Sequence, residues 1–164
     1  MIEHVTPGVT GTLTHTVTRD VTTQRGELHI YSTPNVVLLL EDAAIEALRP
    51  HLEEGHDSVG SRVDLAHTAP TLEGQSVTAT ATVTEVDRRR VAFDVVVRDD
   101  VEEIARGTHE RFVIQLDRFT SRLGDKMLSG FSTRKRADVA TPGSRSTAAP
   151  GFSSARRATS RALY

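Results

Sequence analysis

Cysteine is absent from all 164 residues, which excludes disulfides, thiolate metal sites and a cysteine nucleophile and leaves the redox compartment undetermined. Long apolar runs are missing as well. The greasiest stretch, Val36 to Ala44, is far short of the ~20 residues needed to cross a bilayer, and it contains Glu41 and Asp42. The opening Met-Ile-Glu-His lacks a basic segment followed by a hydrophobic one, so the expectation is a soluble, cytoplasmic protein with no transmembrane segment. Phenylalanine is absent until Phe93, and Tyr31 is the one aromatic between Gln24 and Tyr31. Net charge is small, −2, yet unevenly spread. Residues 1–118 hold 11 Lys+Arg against 20 Asp+Glu, a balance of −9, whereas residues 119–164 hold 9 against 2, a balance of +7.

This asymmetry divides the chain into an acidic body, 1–118, and a basic tail, 119–164. The tail is rich in Ser, Ala, Gly, Pro and Arg and has little to bury, so it is expected to be largely disordered from about Gly130. It lacks the regular basic spacing and interleaved aromatics of a nucleic-acid arm, and reads as a solvated extension.

Within the body, the threonine-rich alternation from Val9 to Val17 predicts a strand. Residues 19–31 show no clear period and read as a loop or flap. A helix is expected from Asn35 to Leu48, ended where Arg49-Pro50 cannot continue the ladder. It is apolar on nearly every side, which calls for burial on more than one face. Four strand-like runs follow: Val59 to Ala66, Ser76 to Val86, Val91 to Val97 and Glu102 to Ile114, with tight turns at Asp87-Arg88-Arg89 and Arg98-Asp99-Asp100. In Ser76 to Val86 the alternation is almost perfect, Val77, Ala79, Ala81 and Val83 against Thr78, Thr80, Thr82 and Thr84. One strand, one helix and a meander of strands specify an α+β fold with an antiparallel sheet. A hot-dog arrangement, a curled sheet wrapped around one long helix, meets that requirement.

Glu41 is a candidate functional residue on its own, because a carboxylate facing the interior in so apolar a run must be paired, protonated or used in chemistry. Thr33 precedes Pro34 and is suited to cap the helix, with proline at the first helical position. His67 ends a strand, where an imidazole able to move a proton near neutral pH stands outside the core. His4, His15, His29, His51, His56 and His109 read as ordinary surface histidines, and the spacing of His51 and His56 beside Pro50 and Gly55 is not that of a zinc motif.

Ser32-Thr33-Pro34-Asn35, Glu41-Asp42-Ala43-Ala44, Val59-Gly60, Val63 through Pro70 and His109-Glu110-Arg111-Phe112 together resemble the fluoroacetyl-CoA-type thioesterases over about residues 5–118. The resemblance implies a hot-dog acyl-CoA thioesterase, with acyl-CoA as substrate and neither cofactor nor metal. It implies a catalytic set of Thr33, Glu41 and His67, with Arg111 and Asn35 contacting substrate. The fluoroacetyl-specific member carries phenylalanines in a lid ahead of its threonine. None stands there in this chain, so a different small acyl group is expected. A hot-dog hydratase would need an Asp and a His a few residues apart on the helix and its preceding loop, a pairing that is missing because the helix contains no histidine; the other alternative is a non-catalytic acyl-CoA-binding protein.

One difficulty is geometric. A regular helix from Pro34 sets Glu41 roughly 10 Å along the axis, beyond hydrogen-bond reach of Thr33. Either the helix starts later and the chain folds back, or a second subunit completes the site. A curled sheet around one helix also leaves apolar surface on its flank, so a homodimer is expected. The Arg88, Arg89 and Arg90 cluster reads as a solvated hairpin tip, with contact to coenzyme A phosphates as the rival reading.

Overall fold

The computed structural model describes residues 4–137, with side chains described through residue 129. Strand β1 (Thr10–Thr16) is followed by a hairpin of β2 (Thr22–Arg25) and β3 (Leu28–Tyr31), then by helix α1 (Thr33–Leu48). Strands β4 (His56–His67), β5 (Ser76–Asp87), β6 (Arg90–Asp99) and β7 (Glu103–Gln115) complete an antiparallel sheet of order β1-β5-β6-β7-β4, and α2 (Leu116–Ala137) follows. This is the α+β hot-dog arrangement expected, with α1 packed on β1, β5, β6 and β4.

The core follows from the two periodicities. Val77, Ala79, Ala81 and Val83 of β5 and Val91, Phe93, Val95 and Val97 of β6 point to one face and are all buried. Val36, Leu39, Leu40, Ala43, Ala44, Ala47 and Leu48 of α1 meet them. Burial of each larger side chain contributes roughly 1.5–3 kcal/mol. On the opposite face of β1 and β5, threonine hydroxyls pair across the strands, Thr14 with Thr78 at 2.8 Å and Thr10 with Thr82 at 3.3 Å. Polar pairs of this kind let that face meet water without weakening the sheet.

Three expectations change. Residues 22–31 form a hairpin rather than a loop, because Gly26, at φ +60°, turns the chain and Tyr31 N–H bonds the Thr71 carbonyl at 2.8 Å, which docks β3 on the loop before β5. Helix α1 starts at Thr33, two residues earlier than expected, with Ser32 as its N-cap residue, so Thr33 is not the cap. The chain beyond 118 continues as helix to Ala137, where Leu116, Phe119, Leu123 and Met127 recur at helical spacing. Disorder was expected from about Gly130; the helix covers the first part of that stretch, and residues 138–164 lie outside the described residues. Residues through Asp125 make one compact unit, and those from Lys126 belong to a second.

Candidate active site

Two polar clusters lie along the length of α1. The first is at its start. Ser32 is extended, so the helix opens directly from β3, and Thr33 occupies the first helical position, where a backbone N–H has no partner within the helix. The Thr33 hydroxyl is therefore free of capping duty. It lies 3.0 Å from Nδ1 of His67, the last residue of β4. His67 Nε2 is buried without a hydrogen-bond partner among the described residues. An orphaned buried ring nitrogen costs about 1–3 kcal/mol. The pair opens into a cleft of about 360 Å³ between the β2–β3 hairpin, the start of α1 and the loop after β4. Thr23, Arg25 and Ile30 of the hairpin line it, and no phenylalanine does.

Two neighbours stiffen this corner. Tyr31 donates its hydroxyl to the Asn35 carbonyl at 2.8 Å, and burial, helped by the Asp42 charge, pushes its phenol up to about 12, so it remains a donor. Asn35, expected to contact substrate, donates its amide N–H groups to Ser32 Oγ at 2.7 Å and the Val21 carbonyl at 3.3 Å. It fastens the helix start to the loop before β2.

The second cluster sits near the middle of α1. Glu41 faces β4 and β7, where its Oε2 accepts from Arg111 Nη1 at 3.3 Å. Arg111 is only 3 % exposed, and its remaining contacts are Nε to Ser58 Oγ at 3.0 Å, Nη2 to the Ser58 carbonyl at 2.9 Å and Nη1 to His109 Nε2 at 3.2 Å. A guanidinium so committed holds Glu41 in place. His109 is also buried, not a surface histidine. Its Nδ1 lies 2.8 Å from the Arg62 carbonyl, so Nδ1 carries the hydrogen and Nε2 accepts from Arg111. Burial pulls the His109 pKa down, opposed by the Arg62 carbonyl and reinforced by Arg111. The imidazole is thus neutral, stacked at 6.1 Å on Phe93.

Thr33 and His67 therefore meet within one protomer, whereas Glu41 makes its contact with Arg111 instead. Because α1 is continuous from Thr33, the eight residue steps from Thr33 to Glu41 span about 12 Å of axis. Of the two ways out of the geometric difficulty, a late helix start is thereby excluded. Ser58 and His109 were not singled out from sequence as members of this cluster. The one usable signal was that His109 and Arg111, two apart on a strand, share a face. Among the described residues no group of three or more His, Asp or Glu side chains converges as metal ligands.

The profile of a family described as fluoroacetyl-CoA-specific thioesterase matches residues 2–117. A fluoroacetyl-CoA thioesterase of Streptantibioticus cattleyicolor is 40 % identical over 101 residues, which are 62 % of this chain and 73 % of that protein. The solved structure of the fluoroacetyl-CoA thioesterase FlK superposes with a TM-score of 0.70 at 33 % identity, covering 76 % of this chain and 98 % of that one. A hot-dog-like protein from Thermanaerovibrio acidaminovorans superposes at 0.68 with 28 % identity, covering 73 % and 91 %. A profile match over more than two thirds of the sequence, in the same fold, means that this chain belongs to the fluoroacetyl-CoA-specific thioesterase family.

Proposed function

We propose that the protein hydrolyses the thioester of a short acyl-CoA to the free acid and coenzyme A, in a site built by a homodimer from Thr33 and His67 of one copy and Glu41 of the other. The observation that carries this reading is the Thr33–His67 hydrogen bond at the start of α1, with an unpartnered Nε2 beside it. Backbone N–H groups at the helix start and the positive end of its dipole are placed to polarise a thioester carbonyl. Thr33 positions that carbonyl or the attacking group. Glu41 acts as nucleophile or as general base on water, and the acyl carbon–sulfur bond breaks as His67 delivers a proton to the leaving sulfur.

Three features support the dimer. Strand β4 is an edge of the sheet, so its outer backbone groups await a partner. Leu38 on the outer side of α1 is 58 % exposed, next to half-buried Val37 and Ile45. Glu41 itself is about one third exposed on that side, open to a second copy. The absence of phenylalanine from the hairpin favours an acyl group other than fluoroacetyl. The cytoplasm, where coenzyme A thioesters are kept, is the compartment this reading implies. No bound cofactor is required by these steps.

Release of free thiol from a panel of short, branched and aromatic acyl-CoAs tests the reading, with Glu41→Gln and His67→Ala beside the parent. Loss of about a hundredfold or more in kcat for both variants is expected for groups acting in proton transfer. Hydrolysis as fast as the parent's in either variant rejects the assignment. Tight acyl-CoA binding without turnover by the parent favours the binding-protein reading instead.

A further inference from the structure

A cavity of about 540 Å³ lies far from Thr33 and His67, at the His56 end of β4. The eleven residue steps of β4 between His56 and His67 extend about 36 Å. Four arginines line this cavity: Arg88 and Arg89 from the β5–β6 turn, Arg118 and Arg122 from the first turns of α2. Glu53 is the one acidic lining residue among those described. The contrast with the body as a whole, −9 over residues 1–118, is sharp.

The arginines are also poorly compensated. Arg90, next in sequence, is paired with Glu85 at 2.6 Å and Glu110 at 3.6 Å and is not part of the cavity wall. Among the described residues Arg89, Arg118 and Arg122 have no carboxylate partner, and Arg88 has only the exposed Asp87 at 3.9 Å. Arg118 and Arg122 are four residues apart on one helix face, a spacing at which like charges repel. Arg88 has φ +54° in a two-residue turn where glycine or asparagine is preferred. Sequence and backbone thus both accept a cost to gather guanidinium groups around one cavity. Forked donors of this kind match phosphate oxygens, and Phe119 and Ile114 add an apolar wall against which a base can lie.

We infer that this cavity binds the phosphorylated nucleotide end of coenzyme A, its 3′-phosphate and diphosphate held by Arg88, Arg89, Arg118 and Arg122. The inference rests on the acyl-CoA reading above and extends it to the far end of the same substrate. In a dimer paired through β4, two-fold symmetry makes the two edge strands antiparallel, so the His56 end of one copy lies toward the His67 end of the other. The nucleotide held by one copy then belongs to the thioester cleaved at the other.

Calorimetric titration of the full chain with coenzyme A, 3′,5′-ADP and pantetheine tests the site, comparing the parent with Arg118→Ala/Arg122→Ala and with Arg98→Ala, an exposed arginine elsewhere. The double variant is expected to weaken coenzyme A and 3′,5′-ADP by about tenfold or more, the weight of a lost charge-assisted contact, with pantetheine unmoved and Arg98→Ala like the parent. In turnover, its KM for acyl-CoA should rise relative to that for the matching acyl-pantetheine. Unchanged coenzyme A affinity overturns the site, as does equal weakening by Arg98→Ala. Weakening of 3′,5′-ADP alone means that a free nucleotide is the occupant and overturns the assignment to substrate. A parent that binds coenzyme A through these arginines yet hydrolyses nothing defeats the thioesterase reading and leaves the site standing.

Discussion

Glu41 is held between an arginine that fixes it and a glycine that makes room for it. A Cβ on Gly60 would lie 2.9 Å from Glu41 Oε2 and 3.3 Å from its Cδ, too close for the carboxylate to stay where it is. The obstacle is the end of a flexible side chain, so relief is cheap for the fold. Gly60→Ala is therefore expected to lower kcat by about tenfold or more through misplacement of Glu41, while the unfolding free energy from urea titration moves by less than about 0.5 kcal/mol. Parental kcat in that variant would show that the position of Glu41 does not matter to turnover. Behind Glu41, His109 makes stability depend on pH. Its folded pKa is depressed, so between that value and the ordinary 6.5 the unfolded chain binds a proton that the folded chain refuses. The stabilisation is complete above 6.5 and is lost as pH falls toward the folded pKa, at up to about 1.4 kcal/mol per pH unit for one proton. His109→Gln, which keeps a donor and an acceptor, should flatten the fall in urea midpoint between pH 7 and pH 5; an unaltered slope would move the titration elsewhere. At this scale the sequence exposed Thr33, Glu41 and His67 as unusual residues but not their partners. The tie of Arg111 to Ser58 runs across the β4–β7 register, which spacing along one chain does not reveal.

At the scale of elements, α1 sits unusually close to the sheet because β1 offers no side chain where they cross. A Cβ on Gly11 would run into the Ala43 carbonyl and the Ala47 backbone nitrogen and lie 2.9 Å from Ala47 Cα. Those are main-chain atoms with no rotamer to yield, and Ala43, Ala44 and Ala47 are already the small residues that allow the approach. Gly11→Ala should lower the unfolding free energy by about 1–3 kcal/mol, the range for overpacking a tight core, measured by urea titration. A shift of a few tenths would mean that the helix can rise without loss. The strong periodicities made α1 and β4 to β7 legible in advance, since Val77, Ala79, Ala81 and Val83 alternate cleanly and Pro50 marks where α1 must end. The β2–β3 hairpin was not legible. Its strands have four residues each and are docked by the Thr71 carbonyl, a contact far off in sequence. Helix α2 was hidden for a different reason. Its polar, basic composition read as tail, although the spacing of Leu116, Phe119 and Leu123 is helical.

For the whole molecule, the decisive question is whether a single copy can complete the chemistry. Within one protomer, Thr33 contacts His67 while Glu41, about 12 Å further along a continuous helix, contacts Arg111. If the site is shared, two different inactive variants repair each other. In a dimer of one Thr33→Ala copy and one Glu41→Gln copy, two-fold symmetry puts both substitutions in one site and leaves the other site intact. Each mixed dimer then has half the parental activity. Random re-association of equal amounts makes half of all dimers mixed, so the mixture should recover about a quarter of parental kcat, although each variant alone is inactive. Mixing Thr33→Ala with His67→Ala provides the control. Those two residues touch in one protomer, so every site in that mixed dimer carries one lesion and activity stays at the level of the single variants. The samples are unfolded together, refolded and assayed for thiol release, with assembly followed by light scattering. Recovery in the first mixture but not the second assigns Glu41 to the site of the other copy. Equal failure of both, in preparations shown to be dimeric, would place all three residues in one subunit and require α1 to unwind between Thr33 and Glu41 during turnover.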